Sequence, residues 1–210
     1  MKIQLALDRM TIDEAIEIAR KVEEHIDWVE VGTSLIKEFG MESVRLMKEA
    51  FPGKTIVADM KTMDNAVYEF EMCYKAGADV ATVMGTAPDV SIEACLQVAA
   101  KMKKLVMIDL LNTTDERKVG LAQLDEALLC VHVSKDEQES GQAKRLLDLP
   151  ESLLQNEQVR IAVAGGLTFE TLRGLEARPS VAIIGSAITK ATDPIKAAAQ
   201  LKKYASGKEE

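Results

Sequence analysis

The chain has 210 residues, with 26 Lys or Arg against 34 Asp or Glu, so its formal net charge is −8. Hydrophobic residues make up 47% and charged residues 29% of the sequence, which is typical of a globular protein and not of a disordered or fibrous one. The acidic balance argues against non-specific nucleic-acid binding, and an aromatic content of 4% leaves few platforms for base stacking. No apolar run approaches the roughly 20 residues of a membrane span, and the first strand is too short and too soon charged for a secretory signal.

Short apolar runs recur along the chain, about 20–30 residues apart, with helical patterns between them. They are rich in Val, Ile, Leu and Ala, the composition of parallel strands that are covered on both faces. The predicted strands are Ile3–Leu7, Trp28–Val31, Thr55–Ala58, Val80–Met84, Leu105–Asp109, Leu128–Val133, Arg160–Ala164 and Val181–Ile184.

The segments between these runs are amphipathic at the helical period. In Thr11–Glu24, apolar residues three and four positions apart fall on one stripe, and charged residues lie outside it. Ser91–Lys101 and Pro194–Tyr204 follow the same pattern, and Asp193-Pro194 is a typical helix start.

Eight alternations of strand and helix without a linker predict an α/β protein with one closed (β/α)₈ barrel, a TIM barrel, over residues 1–210. The rival architecture is a doubly wound open sheet, which usually has fewer strands. Its Gly-x-Gly-x-x-Gly turn is absent after the first strand, where this chain has Leu7-Asp8-Arg9-Met10-Thr11. We expect extra loop structure within Ser134–Gln158, the longest interval between strands, and a frayed tail over Ser206–Glu210.

Three acidic residues stand at the carboxyl ends of predicted strands, where barrels of this kind carry their active sites: Asp8, Glu30 and Asp59. Such carboxylates repel one another unless a cation or Lys61 lies among them. Mg²⁺ suits oxygen ligands of this kind, because it uses one or two protein carboxylates together with water and substrate oxygens. The alternative is that each acid caps the following helix or pairs with a neighbouring base, but three equivalent positions favour a site.

The segment Asp59-Met60-Lys61-Thr62-Met63-Asp64 is the sharpest local signal. Carboxylates on both sides hold Lys61 charged, and a positioned ammonium group stabilises an enediolate or delivers a proton. Asp64 precedes a predicted helix over Asn65–Lys75, and this pattern by itself favours an N-cap role for Asp64.

The two histidines have different surroundings in the sequence. His132 lies near the end of the sixth predicted strand, where an imidazole that titrates near neutral pH is suited to general acid–base catalysis. The alternative for His132 is a hydrogen-bonded core residue. His25 lies in the charged segment Val22–Asp27 and is predicted to be a solvated surface residue.

The last two predicted strands end in glycine turns, Gly165-Gly166 and Gly185-Ser186. Glycine lets backbone N–H groups approach an anion closely, and phosphate sites after strands seven and eight recur in TIM barrels. The two turns together predict a phosphorylated ligand, with Arg160 and Arg178 as candidates for additional positive charge.

The three cysteines, Cys73, Cys95 and Cys130, are odd in number, widely spaced and without a Cys-x-x-Cys pair. This usage is typical of reduced thiols and not of a disulfide framework or a zinc site. We therefore expect a cytoplasmic protein.

These motifs together resemble the orotidine 5′-monophosphate decarboxylase suprafamily of (β/α)₈ barrels over nearly the whole chain. The most specific blocks are Ala58–Asp64, Lys75–Asp79 and Thr82–Gly85. The Asp-x-Lys-x-x-Asp core marks the whole suprafamily and not one reaction. Within the suprafamily the chain is most similar to the 3-hexulose-6-phosphate synthases.

The near alternative is the group of 3-keto-L-gulonate-6-phosphate decarboxylases, which share the site and also use Mg²⁺ and an enediolate. Three segments favour the synthases: the sequence Lys61–Asp64, the strand end Ile108–Asn112 and the turn Gly185–Ile188. The turn favours them because the decarboxylases typically have arginine directly after its glycine. Two features depart from the synthase pattern: Asn65-Ala66 replaces Ala-Gly, and Lys135 stands where the decarboxylases have arginine.

The resemblance implies an Mg²⁺-dependent aldolase that joins formaldehyde to D-ribulose 5-phosphate through a 1,2-enediolate, giving D-arabino-3-hexulose 6-phosphate. It implies a homodimer in which Asp64 reaches the partner's site. A more remote alternative is a non-catalytic sugar-phosphate-binding barrel. The implied residues are Glu30 and Asp59 for the metal, Lys61, Asp64, His132 and Asp8 for catalysis, and Asp8, Thr33, Gly165, Gly166, Gly185 and Ser186 for the substrate and its phosphate.

Overall fold

The computed structural model describes residues 1–140, 149–154, 158–175 and 177–207. Its eight parallel strands close into a barrel in which neighbours around the sheet are neighbours along the chain, and the first strand pairs with the last. This confirms the predicted TIM barrel. The strands are β1 (Lys2–Leu7), β2 (Trp28–Val31), β3 (Thr55–Thr62), β4 (Val80–Met84), β5 (Leu105–Asp109), β6 (Ala127–His132), β7 (Ile161–Ala164) and β8 (Val181–Ile184).

Helices follow the strands and cover the outside of the barrel. None of the helices within the described ranges is long and apolar enough to cross a bilayer. They are α1 (Ile12–Lys21), α2 (Thr33–Phe39), α3 (Met41–Ala50), α4 (Ala66–Lys75), α5 (Asp89–Met102), α6 (Asp115–Leu121), α7 (Lys135–Glu139), α8 (Glu151–Leu154), α9 (Phe169–Arg173), α10 (Ser186–Thr189) and α11 (Pro194–Ala205).

Local sequence accounts for the ends of the helices. Thr11 and Glu14 form a capping box at the start of α1, and the predicted single helix over Thr11–Glu24 divides into α1 and a short 3₁₀ turn at Glu23–His25. The predicted start of α11 is confirmed, since the Asp193 side chain accepts a hydrogen bond from the N–H of Lys196.

The alternation of side chains along each strand divides the apolar residues into two clusters. Outward-facing residues pack against the helices, whereas a separate inner cluster fills the barrel. Apolar groups occupy the centre, and the acidic inward-facing residues of the strands lie toward the carboxyl ends. The inner cluster consists of Val57, Val80, Met107, Leu128, Cys130, Ala162, Ala164, Val181 and Ile183.

The third strand is longer than its predicted span, Thr55–Ala58, because it continues through a bulge to Thr62. Ala58 pairs with Ala81, and the next pairing joins Thr62 to Val83, so that extra residues are accommodated on β3. Lys61 has a φ of 49°, in the left-handed region, and its N–H donates to Thr82 Oγ1 at 2.8 Å. The bulge positions the Asp59–Lys61 segment at the mouth of the barrel.

Two expectations about loops and ends have mixed outcomes. The interval within Ser134–Gln158 contains the extra elements α7 and α8, while residues 141–148 and 155–157 lie outside the described ranges. The first residue of the tail predicted to be frayed is ordered instead. Ser206 is the C-cap of α11, and its N–H donates to the carbonyl of Lys202 at 3.0 Å. Residues 208–210 of that tail lie outside the described ranges.

Candidate active site

Two buried carboxylates occupy the ends of adjacent strands. Glu30 is buried at the end of β2, and Gln4 Nε2 donates to its Oε2 at 2.5 Å. Asp59 is buried on β3, and its two carboxylate oxygens accept hydrogen bonds from the hydroxyl groups of Thr33 at 2.6 Å and Thr82 at 2.9 Å. These hydrogen bonds hold both carboxylates in fixed positions at the mouth of the barrel.

Lys61 lies between two acidic side chains. Its Nζ is 3.1 Å from Asp59 Oδ2 and 2.7 Å from Asp109 Oδ2. Burial by itself would lower the pKa of Lys61, but Asp59 and Asp109 outweigh burial and raise this pKa well above its ordinary value. Lys61 is therefore a permanently charged ammonium group at neutral pH.

Asp109, at the end of β5, connects Lys61 to His132. The Oδ2 atom that accepts from Lys61 also lies 2.9 Å from His132 Nδ1, and Oδ1 accepts from the N–H of Leu111. Burial would raise the pKa of Asp109, but the hydrogen bonds and charges of His132 and Lys61 bring it well below its ordinary value. Because an ionised carboxylate only accepts hydrogen bonds, Nδ1 is the donor, and Nε2 of a neutral His132 is free to accept a proton.

The surroundings of Glu30 fit a divalent cation. Burial, and then repulsion from Asp59, raises the pKa of Glu30 to about 8, and a bound cation would oppose both effects. Among the residues that the structure describes, no group of three His, Cys, Asp or Glu side chains is arranged to hold a metal ion. Two carboxylates, completed by water and substrate oxygens, suit Mg²⁺ better than a metal held wholly by protein. The donor set of Glu30 and Asp59 therefore fits the predicted metal.

Asp8 and Thr33 lie at the same mouth with different contacts. The Asp8 side chain is exposed at the end of β1, and its Oδ1 accepts from the N–H and hydroxyl groups of Ser34. Gly32 permits this approach, because a Cβ there would lie 2.4 Å from the Asp8 carboxylate. Thr33 Oγ1 donates to Asp59, so in this structure its hydroxyl orients a carboxylate. Substrate contacts of both residues stay predictions.

Asp64 does not join the cluster of Asp59, Lys61, Asp109 and His132. Its side chain is exposed, and its Oδ1 accepts from the adjacent N–H of Asn65. The N-cap of α4 is Asn65, in the left-handed conformation and without a side-chain capping bond. The N-cap role predicted for Asp64 is thus wrong, because the turn into α4 occurs one residue later.

The two glycine turns lie together after β7 and β8. Gly165 and Gly166 have φ angles of 105° and 70°, which side chains rarely tolerate, and Gly185 is the N-cap of α10, which begins at Ser186. Neighbouring strands place both turns on one sector of the mouth. The turn residues themselves include no cation. An anion in this sector would therefore be bound by their backbone N–H groups.

The two arginines predicted to support these turns are bound elsewhere. Arg160 precedes β7, and its guanidinium donates to the carbonyl of Glu126. Arg178 precedes β8, and its guanidinium donates to the carbonyls of Tyr204 and Ala205. Both therefore lie toward the amino-terminal ends of the strands, at the opposite end of the barrel, and the expectation of their charge at the phosphate site is wrong.

A cavity of about 470 Å³ lies beside the carboxylate cluster, between the loops that follow β5 and β6. His132 lines it, together with Asn112, Ser134 and other residues of these loops. The part of its wall that the structure describes includes none of Glu30, Asp59 and Lys61. The cavity therefore meets the carboxylate cluster at His132.

Asp109 and Thr82 are the functional candidates that sequence reasoning did not select. Asp109 ends the fifth predicted strand, and the strand-end argument that selected Glu30 and Asp59 applies to it equally. Thr82 is a polar residue inside an otherwise apolar strand, at the same alternation as the inward-facing Val80. The available signals were therefore the strand end for Asp109 and strand alternation for Thr82.

The fold and the mouth geometry define a TIM-barrel enzyme equipped for proton transfer beside a stabilised negative charge. The family model described as Orotidine 5′-phosphate decarboxylase / HUMPS family matches residues 1–201. The chain therefore belongs to this family of carbon–carbon lyases.

Individual relatives align over the full chain. A 3-hexulose-6-phosphate synthase of Bacillus subtilis is 36% identical over 206 residues, 96% of this chain and 97% of the relative. The crystal structure of a 3-hexulose-6-phosphate synthase from Salmonella typhimurium has a TM-score of 0.91 and 33% identity, with all of both chains covered. KGPDC from Streptococcus mutans, solved in complex with a D-sugar phosphate, has a TM-score of 0.81 and 26% identity over 96% of this chain and 95% of that one.

Replacing Asp109 with asparagine tests the link between Asp109 and His132. An amide no longer requires His132 Nδ1 to be the donor, so we expect Asp109→Asn to mix the imidazole tautomers and to lower kcat by about 100-fold or more. Imidazole ¹⁵N chemical shifts report the tautomer, and steady-state turnover reports kcat.

The matched control is Asp79→Asn. Like Asp109, Asp79 accepts hydrogen bonds from two side chains, here those of Lys48 and Lys104, but it lies directly before β4, at the opposite end of the barrel. We expect this variant to lower the thermal midpoint and to retain kcat. An Asp109→Asn protein with wild-type turnover and an unchanged His132 tautomer would contradict the link.

Replacing Glu30 with glutamine tests its raised pKa without any substrate. The ordinary pKa of Glu30 is 4.5 and the folded value is about 8, so the folded state binds more protons in this window and stability falls as pH rises from 4.5 to 8. In metal-free buffer at pH 8.5 we expect Glu30→Gln to raise the melting temperature by about 2 °C or more, and the difference to vanish near pH 4.

Glu38→Gln, at an exposed position on α2, is the control and should leave the melting temperature unchanged at both pH values. A Glu30→Gln protein with the melting temperature of the wild type at pH 8.5 would show that the pKa of Glu30 is not raised in the folded protein.

Proposed function

We propose that the protein is an Mg²⁺-dependent aldolase that condenses formaldehyde with D-ribulose 5-phosphate to give D-arabino-3-hexulose 6-phosphate. The observation that carries this proposal is the hydrogen-bonded series from Asp59 through Lys61 and Asp109 to His132 at the mouth of the barrel. Full-length similarity to relatives named 3-hexulose-6-phosphate synthase supports the choice of substrates.

The first step is removal of a proton from C1 of the ketose phosphate. His132 Nε2 accepts this proton, and Asp109 stabilises the resulting imidazolium through Nδ1–H. The C–H electron pair becomes the C1–C2 double bond, and negative charge develops on the C2 oxygen. The partly buried Lys61 ammonium stabilises that charge, so the product of this step is a 1,2-enediolate.

The second step forms the carbon–carbon bond. C1 of the enediolate attacks the carbon of formaldehyde, the C2 carbonyl is restored, and the former aldehyde oxygen becomes an alkoxide. The His132 imidazolium returns its proton to this alkoxide, which regenerates the neutral histidine. Asp8 and Asp64 position substrate hydroxyl groups in this scheme.

Glu30 and Asp59 are the residues that would hold Mg²⁺. When bound, the ion supplies positive charge that polarises the C2 carbonyl and increases the acidity of the C1 proton. The raised pKa of Glu30 supports this assignment, because a cation removes the repulsion between Glu30 and Asp59.

The phosphate group of the substrate is assigned to the turns at Gly165-Gly166 and Gly185-Ser186. The positive φ angles of Gly165 and Gly166 and the shared sector support this placement, and the relative solved with a sugar phosphate supports the same class of ligand. With the phosphate held there, the ketose carbonyl is directed toward the opposite sector, where the carboxylates lie.

A second candidate function is decarboxylation of 3-keto-L-gulonate 6-phosphate at the same site. Lys135 favours it, since this cation begins α7 only three residues after His132 and is exposed. The structural similarity to solved 3-keto-L-gulonate-6-phosphate decarboxylases (KGPDC) is also consistent with this reaction. The remote alternative, a barrel that binds sugar phosphate without turnover, does not explain the His132–Asp109 pair.

We further propose that two copies of the chain associate through the start of α4, so that Asp64 enters the partner's site. Asp64 is exposed beside large apolar side chains that are also exposed: Met63 at 46%, Val67 at 51% and Tyr68 at 65%. Exposed apolar groups next to an exposed carboxylate are typical of a surface that another chain covers.

We also propose a cytoplasmic location. Cys73, Cys95 and Cys130 are all free and buried, which suits a reducing compartment. Immunofluorescence or fractionation of cells that express the untagged chain tests the location directly.

A substrate panel tests the activity. We expect the purified protein to consume formaldehyde only with D-ribulose 5-phosphate, to lose activity on metal chelation and to recover it with Mg²⁺. Lys61→Ala should abolish turnover and leave the circular dichroism spectrum unchanged. CO₂ release from 3-keto-L-gulonate 6-phosphate, without formaldehyde consumption, would instead establish the decarboxylase. Binding of ribulose 5-phosphate without either reaction would establish the non-catalytic barrel.

Co-expression of two inactive variants tests the shared site. In the proposed dimer, each site takes Lys61 from one subunit and Asp64 from the other. A mixed dimer of Lys61→Ala and Asp64→Asn chains therefore has one site with both substitutions and one complete site. We expect co-expressed variants to recover about a quarter of wild-type activity, the share that random pairing in a two-fold dimer gives. Absence of recovery from co-purified mixed dimers would place Asp64 in its own subunit's site or in none.

A further inference from the structure

An ion pair joins two loops across the mouth of the barrel. Arg9, directly after β1, places Nη1 3.0 Å from Oε1 of Glu139, the last residue of α7. The two residues are 130 positions apart in the chain, and both side chains are more than half exposed, at 64% and 51%. The pair therefore connects the first strand with the helix that follows the sixth.

The sector spanned by this ion pair is that of the two glycine turns. Between β6 and β1 around the barrel lie β7 and β8, whose ends carry the turns. On one side, Gly185 is next to β1, where the position of a Cβ would lie 3.5 Å from the carbonyl oxygen of Ala6. On the other side, Gln138, the neighbour of Glu139, places its Oε1 3.3 Å from the position of a Cβ on Gly166. Each partner of the ion pair thus belongs to a segment that contacts one of the two turns.

Arg9 can change partners without unfolding its loop. Its backbone is fixed, since its N–H donates to Ser34 Oγ at 2.7 Å and Ser34 Oγ in turn donates to Asp8. An exposed ion pair of this kind contributes little to stability, so release of the guanidinium requires little free energy. Glu139 keeps a cation after release, because Lys135 Nζ is 3.8 Å from the same Oε1.

We propose that Arg9 is a phosphate-binding residue, held by Glu139 in the free protein and transferred to the phosphate dianion of the substrate when it binds. The inference rests on the proposed sugar-phosphate function and adds a cation that the glycine turns do not themselves supply. A phosphate dianion carries more charge than a carboxylate and accepts two parallel N–H bonds from a guanidinium, so it competes effectively for Arg9. Glu139 is then an internal competitor that keeps Arg9 beside the turns.

The test compares Arg9→Gln with Glu139→Gln, because a competitor and a ligand have opposite effects on binding. With inorganic phosphate as the probe in calorimetric titration, we expect Arg9→Gln to weaken binding by about tenfold. Glu139→Gln should tighten binding, because it removes the group that competes with phosphate for Arg9. In turnover, Arg9→Gln should raise KM for ribulose 5-phosphate and leave kcat largely unchanged.

Lys21→Gln is the matched control, since Lys21 forms an exposed ion pair with Glu17 on α1, and it should leave phosphate affinity unchanged. Equal weakening by Arg9→Gln and Glu139→Gln would show that the ion pair is only a structural link, and unchanged affinity in Arg9→Gln would overturn the proposal outright. Phosphate binding needs no turnover, so opposite effects of the two variants without aldol activity would sustain this inference while refuting the proposed reaction.

Discussion

The site depends on the burial of one ammonium group between two carboxylates. Asp59 and Asp109 come from the third and fifth strands, and each would be costly to bury as an isolated charge. Lys61 compensates both, and they in turn keep Lys61 charged. Because the oxygen of Asp109 that accepts from Lys61 also accepts from His132, the same compensation selects the tautomer of the proposed base. Charge balance and proton transfer therefore share one set of hydrogen bonds.

A local distortion of β3 makes this balance possible. Lys61 adopts a left-handed backbone conformation, which costs a residue with a side chain roughly 1–2 kcal/mol. The hydrogen bond from its N–H to Thr82 partly offsets that cost, and Thr82 also donates to Asp59. Strain of this kind persists where surrounding contacts over-determine the conformation, and here they come from the neighbouring strand β4.

The mouth of the barrel is electrostatically divided. The ends of β2, β3 and β5 carry the carboxylates Glu30, Asp59 and Asp109, whereas the ends of β7 and β8 are glycine turns with N–H groups. In the proposed function, the first sector repels the phosphate group of the substrate and the second accepts it, so the division orients the ligand before any specific contact forms. The proposed cation, held by Glu30 and Asp59, would make the first sector attractive to a carbonyl oxygen.

The sequence by itself determined the elements of this protein, because hydrophobic periodicity depends on neighbours along the chain. Seven strand spans agree with the structure to within one residue, and strand ends selected Glu30, Asp59, Lys61 and His132. Only the tertiary structure decided which side chains meet. The pairing of His132 with Asp109, the extension of β3 beyond Ala58 and the displaced N-cap at Asn65 depend on strand register and local backbone conformation. The link from Arg9 to Glu139 exists because closure of the barrel brings together loops that are far apart in the chain. Linear spacing predicted the closed barrel, but it does not encode which side chains of distant loops meet.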